Sequence, residues 1–252
     1  MLATERHKNI IKNLQEHRMV KVTELSKTLN VTEETIRRDL EKLELKHKLK
    51  RTHGGAIPIV DRDDDEIPFS DRKIMNKKEK LEVAKKAVSL INEKDIIFLD
   101  ASTTALYLAR FLPNMDLTVL TNSMPVAIEL AKNHKVKVML TGGTVSENSL
   151  SLVGPTAIRS IEHFHVDKTF FSCKGFDKEW GVSDSNEQQA NVKRRIIKNS
   201  DEVILLIDHS KLGQKSFANI DDKNVLDYIV VDKGANIALV ENMLSKHTKV
   251  II

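Results

Sequence analysis

Residues 31–43 read Val31-Thr32-Glu33-Glu34-Thr35-Ile36-Arg37-Arg38-Asp39-Leu40-Glu41-Lys42-Leu43. Ile36, Leu40 and Leu43 recur at i, i+4 and i+7, which is one apolar stripe of an α-helix. Thr32 stands where an N-cap is expected, and Val31 with Ile36 has the spacing of a hydrophobic staple. The helix predicted from Glu33 to about Lys46 therefore buries one side and presents Thr35, Arg37, Arg38 and Lys42 on the other. Upstream, Thr23 is expected to cap a helix over Glu24–Leu29, with Asn30-Val31 as a tight turn. A further helix is expected over Thr4–Gln15, with Ile10, Ile11 and Leu14 facing inward, followed by a short β-prone stretch at Val20–Val22. Basic and hydroxyl side chains near the start of the second of two turn-linked helices meet the requirement of a recognition helix, whose first turns enter the major groove. Arginine there can read guanine or clamp phosphate, and hydroxyls can take phosphate oxygens. Helical pairs are common, so the spacing by itself leaves a plain surface hairpin open. Downstream, Leu49-Lys50-Arg51-Thr52-His53-Gly54-Gly55-Ala56 reads as a short hairpin with a basic edge, a wing that would add Lys50, Arg51 and His53 to the contact surface.

Charge placement bears on that choice. Residues 1–60 carry 13 Lys and Arg against 8 Asp and Glu, whereas the other 192 residues carry 27 against 28. A basic segment on a neutral body points to a polyanion contact at one end. The chain has 252 residues, 40% of them hydrophobic and 30% charged, which suits one or two folded domains rather than disorder. No apolar run approaches the roughly 18 residues of a membrane span. The first eight residues contain no apolar signal core, so a cytoplasmic location is expected. One cysteine, Cys173, excludes an internal disulfide framework and a cysteine-cluster zinc site.

A linker is expected at residues 58–69, where Pro58 and Pro68 flank Asp61-Arg62-Asp63-Asp64-Asp65-Glu66. It separates a DNA-binding unit at 1–57 from an effector unit at 70–252. In the second unit a helix is predicted over Asp71–Ile91. Short apolar runs such as Ile96–Leu99, Leu117–Leu120, Val136–Leu140 and Val203–Ile207 then alternate with helical segments. That alternation is the pattern of a parallel sheet covered by helices on both faces, an α/β fold. Five of the runs end in polar loops: Asp100-Ala101-Ser102-Thr103-Thr104, Thr121-Asn122-Ser123, Thr141-Gly142-Gly143-Thr144, Cys173-Lys174-Gly175 and Asp208-His209-Ser210-Lys211. Ligands in open α/β sheets sit at the carboxyl ends of strands, so the five loops are expected to form one mouth. Lys174 and Lys211 would neutralise an anion, and Asp208 would accept hydrogen bonds from sugar hydroxyls. Neither glycine stretch fits a Rossmann or P-loop pattern, so no nucleotide cofactor is expected. His163 and His165 have no third ligand nearby in sequence, so no metal is expected. Cys173 reads as a buried strand-end thiol, and Trp180 as a cap on the mouth or a packed loop residue.

The stretch Val31–Leu43, with Arg51-Thr52-His53-Gly54-Gly55-Ala56 behind it, resembles the winged helix-turn-helix signature of the DeoR family of bacterial repressors. The departures are His47 where that family often has glycine, and Ala101 where it frequently has glycine in the phosphate loop. The resemblance continues through Lys80, Asp100–Thr104, Thr121–Ser123, Gly142-Gly143, Lys174-Gly175, Gly181–Asp184, Val192–Arg194 and Asp208–Gly213. It implies a sensor similar in fold to ribose-5-phosphate isomerase, a phosphorylated sugar as effector, and a role for Lys80, Asp208 and Lys211 in the response. It also implies operator DNA as partner and, by family likeness alone, repression as the sign of control; activation would use the same binding chemistry. One recognition helix buries little, so a homodimer or homotetramer is expected. The competing reading is a sugar-phosphate isomerase or deaminase with an accessory DNA-binding segment, using Asp100 or Asp208 as general base. The regulator is preferred, because no carboxylate pair has persuasive spacing.

Overall fold

The fold is that of a computed structural model describing residues 3–17, 19–45, 49–52, 54–57 and 66–252. Backbone contacts divide the chain into two units, residues 1–62 and 63–252.

The first unit contains α1 (Ala3–His17), β1 (Val20–Lys21), α2 (Val22–Leu29), α3 (Glu33–Leu45), β2 (Lys50–Thr52) and β3 (Gly55–Ile57). Ile10, Leu14, Leu25, Leu29, Ile36, Leu40 and Leu43 form its core, so the apolar stripes fall inward as expected. Asn30 adopts a left-handed conformation at φ 51°, and its N–H reaches back to the carbonyls of Ser26 and Lys27. That closes the turn. Thr32 Oγ1 accepts the Thr35 N–H at 3.2 Å and so caps α3. Thr23 is not a cap: α2 starts at Val22, and Thr23 lies exposed in its first turn. The reason is that the Val22 N–H is already satisfied by the Gly54 carbonyl at 2.9 Å, without a side-chain cap. The strands pair antiparallel in the order β1-β3-β2, forming the wing. At Gly55 a Cβ would stand 1.8 Å from the Val20 carbonyl oxygen, so only glycine lets β3 lie against β1.

Asp39, on the inner side of α3, is buried, ion-paired to Arg6 of α1 with Nη2 at 3.1 Å, and hydrogen-bonded to His7 Nε2 at 2.9 Å. Burial works against its charge, but Arg6 and His7 outweigh that and hold the carboxyl below its ordinary range. This ion-paired cluster ties α3 to α1.

The second unit begins with α4 (Phe69–Ile74) and α5 (Lys77–Ala87), then β4 (Ile96–Leu99), α6 (Thr103–Phe111), β5 (Leu117–Thr121), α7 (Met124–Leu130) and β6 (Val136–Leu140). A hairpin of β7 (Thr144–Ser146) and β8 (Ser151–Val153) leads to α8 (Pro155–Glu162) and β9 (Val166–Phe171). Then follow β10 (Gly175–Asp177), β11 (Gly181–Asp184), α9 (Glu187–Ile197), β12 (Ser200–Ile207), β13 (Ala218–Asp221), β14 (Tyr228–Val231), α10 (Ile237–Met243) and β15 (Lys249–Ile251).

Seven strands form a sheet in the order β15-β14-β12-β9-β4-β5-β6, and every pair is parallel. Side chains alternate between its faces. Ile97, Leu99, Ile204 and Leu206 pack under α5, α6 and α7, while Phe98, Leu205 and Ile207 face α8, α9 and α10. The chain runs outward from β4 to β6, returns to β9 beside β4, and runs outward again to β15. The β4–β9 border is therefore the topological switch point, where the carboxyl ends of neighbouring strands leave a crevice.

Two expectations are corrected here. The helix predicted over Asp71–Ile91 breaks at Met75-Asn76, with Asn76 left-handed at φ 48°. Asparagine tolerates that conformation, and its amide donates to Asp208 Oδ1 at 3.1 Å and Ser210 Oγ at 2.9 Å. The linker predicted over 58–69 is also too long. Its first eight residues lie outside the described residues, but the Phe69 side chain is buried, the Phe69 N–H donates to the Asn148 carbonyl at 2.7 Å, and Glu66 accepts from Asn186 at 3.0 Å. Residues 66–69 thus belong to the sensor. The apolar-run pattern also did not show the β10-β11-β13 sheet or the β7–β8 hairpin, whose strands are three or four residues long.

Candidate functional site

On α3 the outward face is polar. Arg37 and Arg38 side chains are 52% and 72% exposed; among the described residues Arg37 pairs with Glu33 at 2.7 Å and Glu34 at 3.9 Å, and Arg38 with Glu34 at 3.3 Å. Such pairs are weak, so both guanidinium groups are available to a stronger anion. Lys42 and Arg51 are exposed, and Thr35 is half-buried with its hydroxyl 2.9 Å from that of Thr32. The side chain of Lys50 and all of His53 and His47 lie outside the described residues.

In the second unit a cavity of about 340 Å³ opens at the switch point. Three neighbouring strands supply its floor. Ser102, Thr103 and Thr104 follow β4, Ser172 to Lys174 follow β9, and Asp208, Ser210 and Lys211 follow β12. Ser102 caps α6 by accepting the Ala105 N–H at 3.0 Å. Arg72, Asn76 and Lys80 enter from α4, the helix break and α5. Six basic side chains (Arg72, Lys80, Lys174, Lys193, Lys211, Lys215) and three acidic ones (Glu66, Asp184, Asp208) line the space.

Lys80 is buried and donates to the Arg72 carbonyl at 2.6 Å; burial, with Lys211 nearby, pulls its pKa down to about 8. Asp208 is buried, which works against its charge, but Lys211, Ser210, Lys80 and Asn76 outweigh this and keep it ionised. Its Oδ1 takes Asn76 and Ser210, whereas Oδ2 is buried without a hydrogen-bond partner, 3.7 Å from Lys211 Nζ. Among the described residues, Arg72 Nε and Nη2 likewise have no hydrogen-bond partner. An unmatched acceptor and two unmatched donors in one cavity suit a ligand carrying both a hydroxyl and an anionic group.

Beneath them, Lys193 donates to Asp184 Oδ2 at 2.5 Å and the Ser172 carbonyl at 2.8 Å, and stands 3.3 Å from Asp100 Oδ2. Burial opposes its charge, but Asp184 and Asp100 raise its pKa above the ordinary lysine value. Lys193→Met would strand two buried carboxylates, and the sensor's unfolding free energy is expected to fall by about 3–5 kcal/mol at neutral pH. Denaturant titration of the variant measures this.

Not all the expected site residues converge. Lys80, Ser102, Thr103, Thr104, Lys174, Asp208 and Lys211 line the cavity; the other seven do not. Asp100 lies below it, its carboxylate accepting the Ser102 and Ser172 N–H groups at 3.1 Å each. Thr121 donates to the Leu99 carbonyl at 2.6 Å, Asn122 donates to the Leu152 carbonyl at 3.2 Å, and Ser123 caps α7. Gly142 and Gly143 turn the chain at φ 68° and 119°, and a Cβ on Gly175 would meet the Gln214 carbonyl at 2.4 Å. These are structural roles: hydrogen bonds, a helix cap, a turn at Gly142, and close packing at Gly143 and Gly175. The physical cause is strand order: β5 and β6 lie away from the switch point, on the flank of β4.

Cavity-lining residues not singled out as site candidates include Glu66, Arg72, Asn76, Asp184, Lys193, Ser210 and Lys215. Ser210 lay inside a quoted polar loop, but Glu66 lay within the supposed linker and Asn76 within the supposed helix. Burial pushes the Cys173 thiol up to about 12, so it stays protonated at neutral pH. His165 pairs with Asp201 at 2.8 Å on the surface, and no three metal-ligating side chains cluster among the described residues. The Trp180 indole donates to the Ser216 carbonyl at 2.9 Å, beside the cavity mouth. No described helix is long and apolar enough to cross a membrane.

A winged helix-turn-helix unit joined to an α/β unit with a basic cavity at its switch point is the architecture of a transcriptional regulator. Family models agree: a DeoR-like helix-turn-helix domain matches residues 6–61, and the DeoR C terminal sensor domain matches residues 75–233. The chain belongs to the DeoR family of transcriptional regulators. It is 48% identical over 250 residues to the uncharacterized HTH-type transcriptional regulator YulB of Bacillus subtilis (strain 168), covering 99% of this chain and 96% of that one. It is 37% identical to the L-fucose operon activator of Haemophilus influenzae, covering 84% and 85%. A solved ribose 5-phosphate isomerase from Methanocaldococcus jannaschii aligns over 54% of this chain and 55% of that one at 20% identity and TM-score 0.41.

Proposed function

We propose that the protein represses a sugar-catabolic operon and leaves its operator when a phosphorylated sugar fills the cavity. The cavity's make-up carries this reading. A surplus of basic side chains and the hydroxyl-bearing start of α6 suit a phosphate, and the unmatched Asp208 oxygen suits a sugar hydroxyl. On the DNA side, Thr32, Thr35, Arg37, Arg38 and Lys42 of the recognition region would meet the major groove and its phosphates. Thr23, Lys50, Arg51 and His53 would add backbone contacts. Binding as a dimer or tetramer would place half-sites about 10 base pairs, or a multiple, apart. Release requires the effector to prefer the conformation that holds DNA less well.

A non-enzymatic role is supported by the fate of the expected bases. Asp100 is sealed below the cavity by two backbone N–H groups and Lys193, and the cations around Asp208 lower its pKa and make it a weaker proton acceptor.

The test has two arms. A thermal-shift screen of pentose and hexose phosphates should find one that adds about 2.7 kcal/mol of stability at a hundredfold excess over its Kd. That compound should then dissociate the protein from DNA upstream of a neighbouring sugar operon in a mobility-shift assay. Turnover of any such compound, or no sequence-specific shift at moderate salt, would overturn the reading.

A further inference from the structure

Glu66 is the first described residue after 58–65, and it lines the cavity. Its side chain is only 8% exposed. Oε2 accepts from Asn186 at 3.0 Å, and Asn186 in turn caps α9. Oε1 stands 3.8 Å from Arg72 Nη2, beyond hydrogen-bond reach but close enough for strong attraction. Arg72 meanwhile leaves Nε and Nη2 unmatched, and its guanidinium lies over the Phe69 ring at 5.6 Å. Guanidinium groups bind carboxylate and phosphate best through two parallel N–H bonds, and here neither is made to Glu66. A phosphate entering the cavity could make both. It would also bring negative charge beside a carboxylate that burial already makes reluctant to ionise, its pKa standing above the ordinary range.

We propose that Glu66 is the residue that reports occupancy: an anion that takes Arg72 displaces Glu66 from it. The displaced residue is the first described residue of the sensor in sequence. The deduction rests on the cavity being the anion site proposed above. The state with Glu66 beside Arg72 binds anion more weakly than the state with Glu66 released, which is the differential affinity that effector control needs.

Calorimetric titration of the full-length protein with inorganic phosphate tests this. Glu66→Gln, which keeps the side-chain shape, should bind phosphate roughly fivefold to tenfold more tightly, because Arg72 no longer faces a competing charge. In an Arg72→Ala background the same change should have a much smaller effect, since only the direct repulsion between carboxylate and phosphate is then relieved, a coupling that a merely structural role would not produce. In the wild type, amide exchange across residues 66–70 should quicken on saturation with phosphate. Equal or weaker phosphate binding by Glu66→Gln, an undiminished effect without Arg72, or unchanged exchange in the wild type would each overturn the proposal. If the wild type binds phosphate or a sugar phosphate while Glu66→Gln binds no tighter, this inference alone fails. If the wild type binds none of them, the cavity reading fails with it.

Discussion

Replacing Arg37 and Arg38 together with alanine is expected to lower specific operator affinity by about 10²–10³-fold, since each well-placed arginine contact contributes about 1–3 kcal/mol. The fold should be unaffected. Both side chains project into solvent and pair only with Glu33 and Glu34 on their own helix, and such surface pairs contribute about 0.3–0.5 kcal/mol each. The salt dependence should also flatten by about one unit of slope for each phosphate contact removed. Fluorescence anisotropy with labelled operator at several salt concentrations measures affinity and slope, and thermal melting checks the fold. Operator binding that survives the double change would remove α3 from the interface.

The second large effect concerns Lys80. Its ammonium is buried, faces Lys211 and Arg72 across the cavity, and has a pKa of about 8. A bound dianion would draw that pKa back towards the ordinary lysine value, so binding would take up a proton wherever Lys80 is neutral beforehand. Effector affinity is therefore expected to be full below about pH 8 and to decline as pH rises beyond it. Lys80→Met should weaken the effector by about 10- to 150-fold at neutral pH, the loss of one charged hydrogen bond of about 1.5–3 kcal/mol. It should also remove the decline above pH 8. Calorimetric titrations between pH 7 and 9.5 with the sugar phosphate found by thermal shift separate the two outcomes. An alkaline decline that persists in Lys80→Met would assign it to another group.

The DNA-binding unit was the more legible half, because its signals are local. The Ile36-Leu40-Leu43 stripe, the Thr32 cap and the basic outward face lie within one thirteen-residue stretch, and α3 forms as they require. Thr23 failed as a cap for a non-local reason, since the Val22 N–H found the Gly54 carbonyl of the wing. In the sensor, apolar runs were enough to predict a parallel sheet, because strands buried on both faces must be apolar throughout. The same reasoning could not choose among five polar loops. Thr121 and Gly142 look as suitable in sequence as Ser102 and Lys174, yet only the latter pair reach the cavity.

The sequence by itself determined the class of both units and the identity of the exposed arginines, through helical periodicity, capping and composition that act over a few residues. Only the tertiary structure decided which charges meet. The return of the chain to β9 beside β4 is a choice of strand order, and no local pattern encodes it. That one reversal brings the ends of β4, β9 and β12 together and leaves those of β5 and β6 aside. It also brings Asp100, at the end of β4, to the buried Lys193–Asp184 pair.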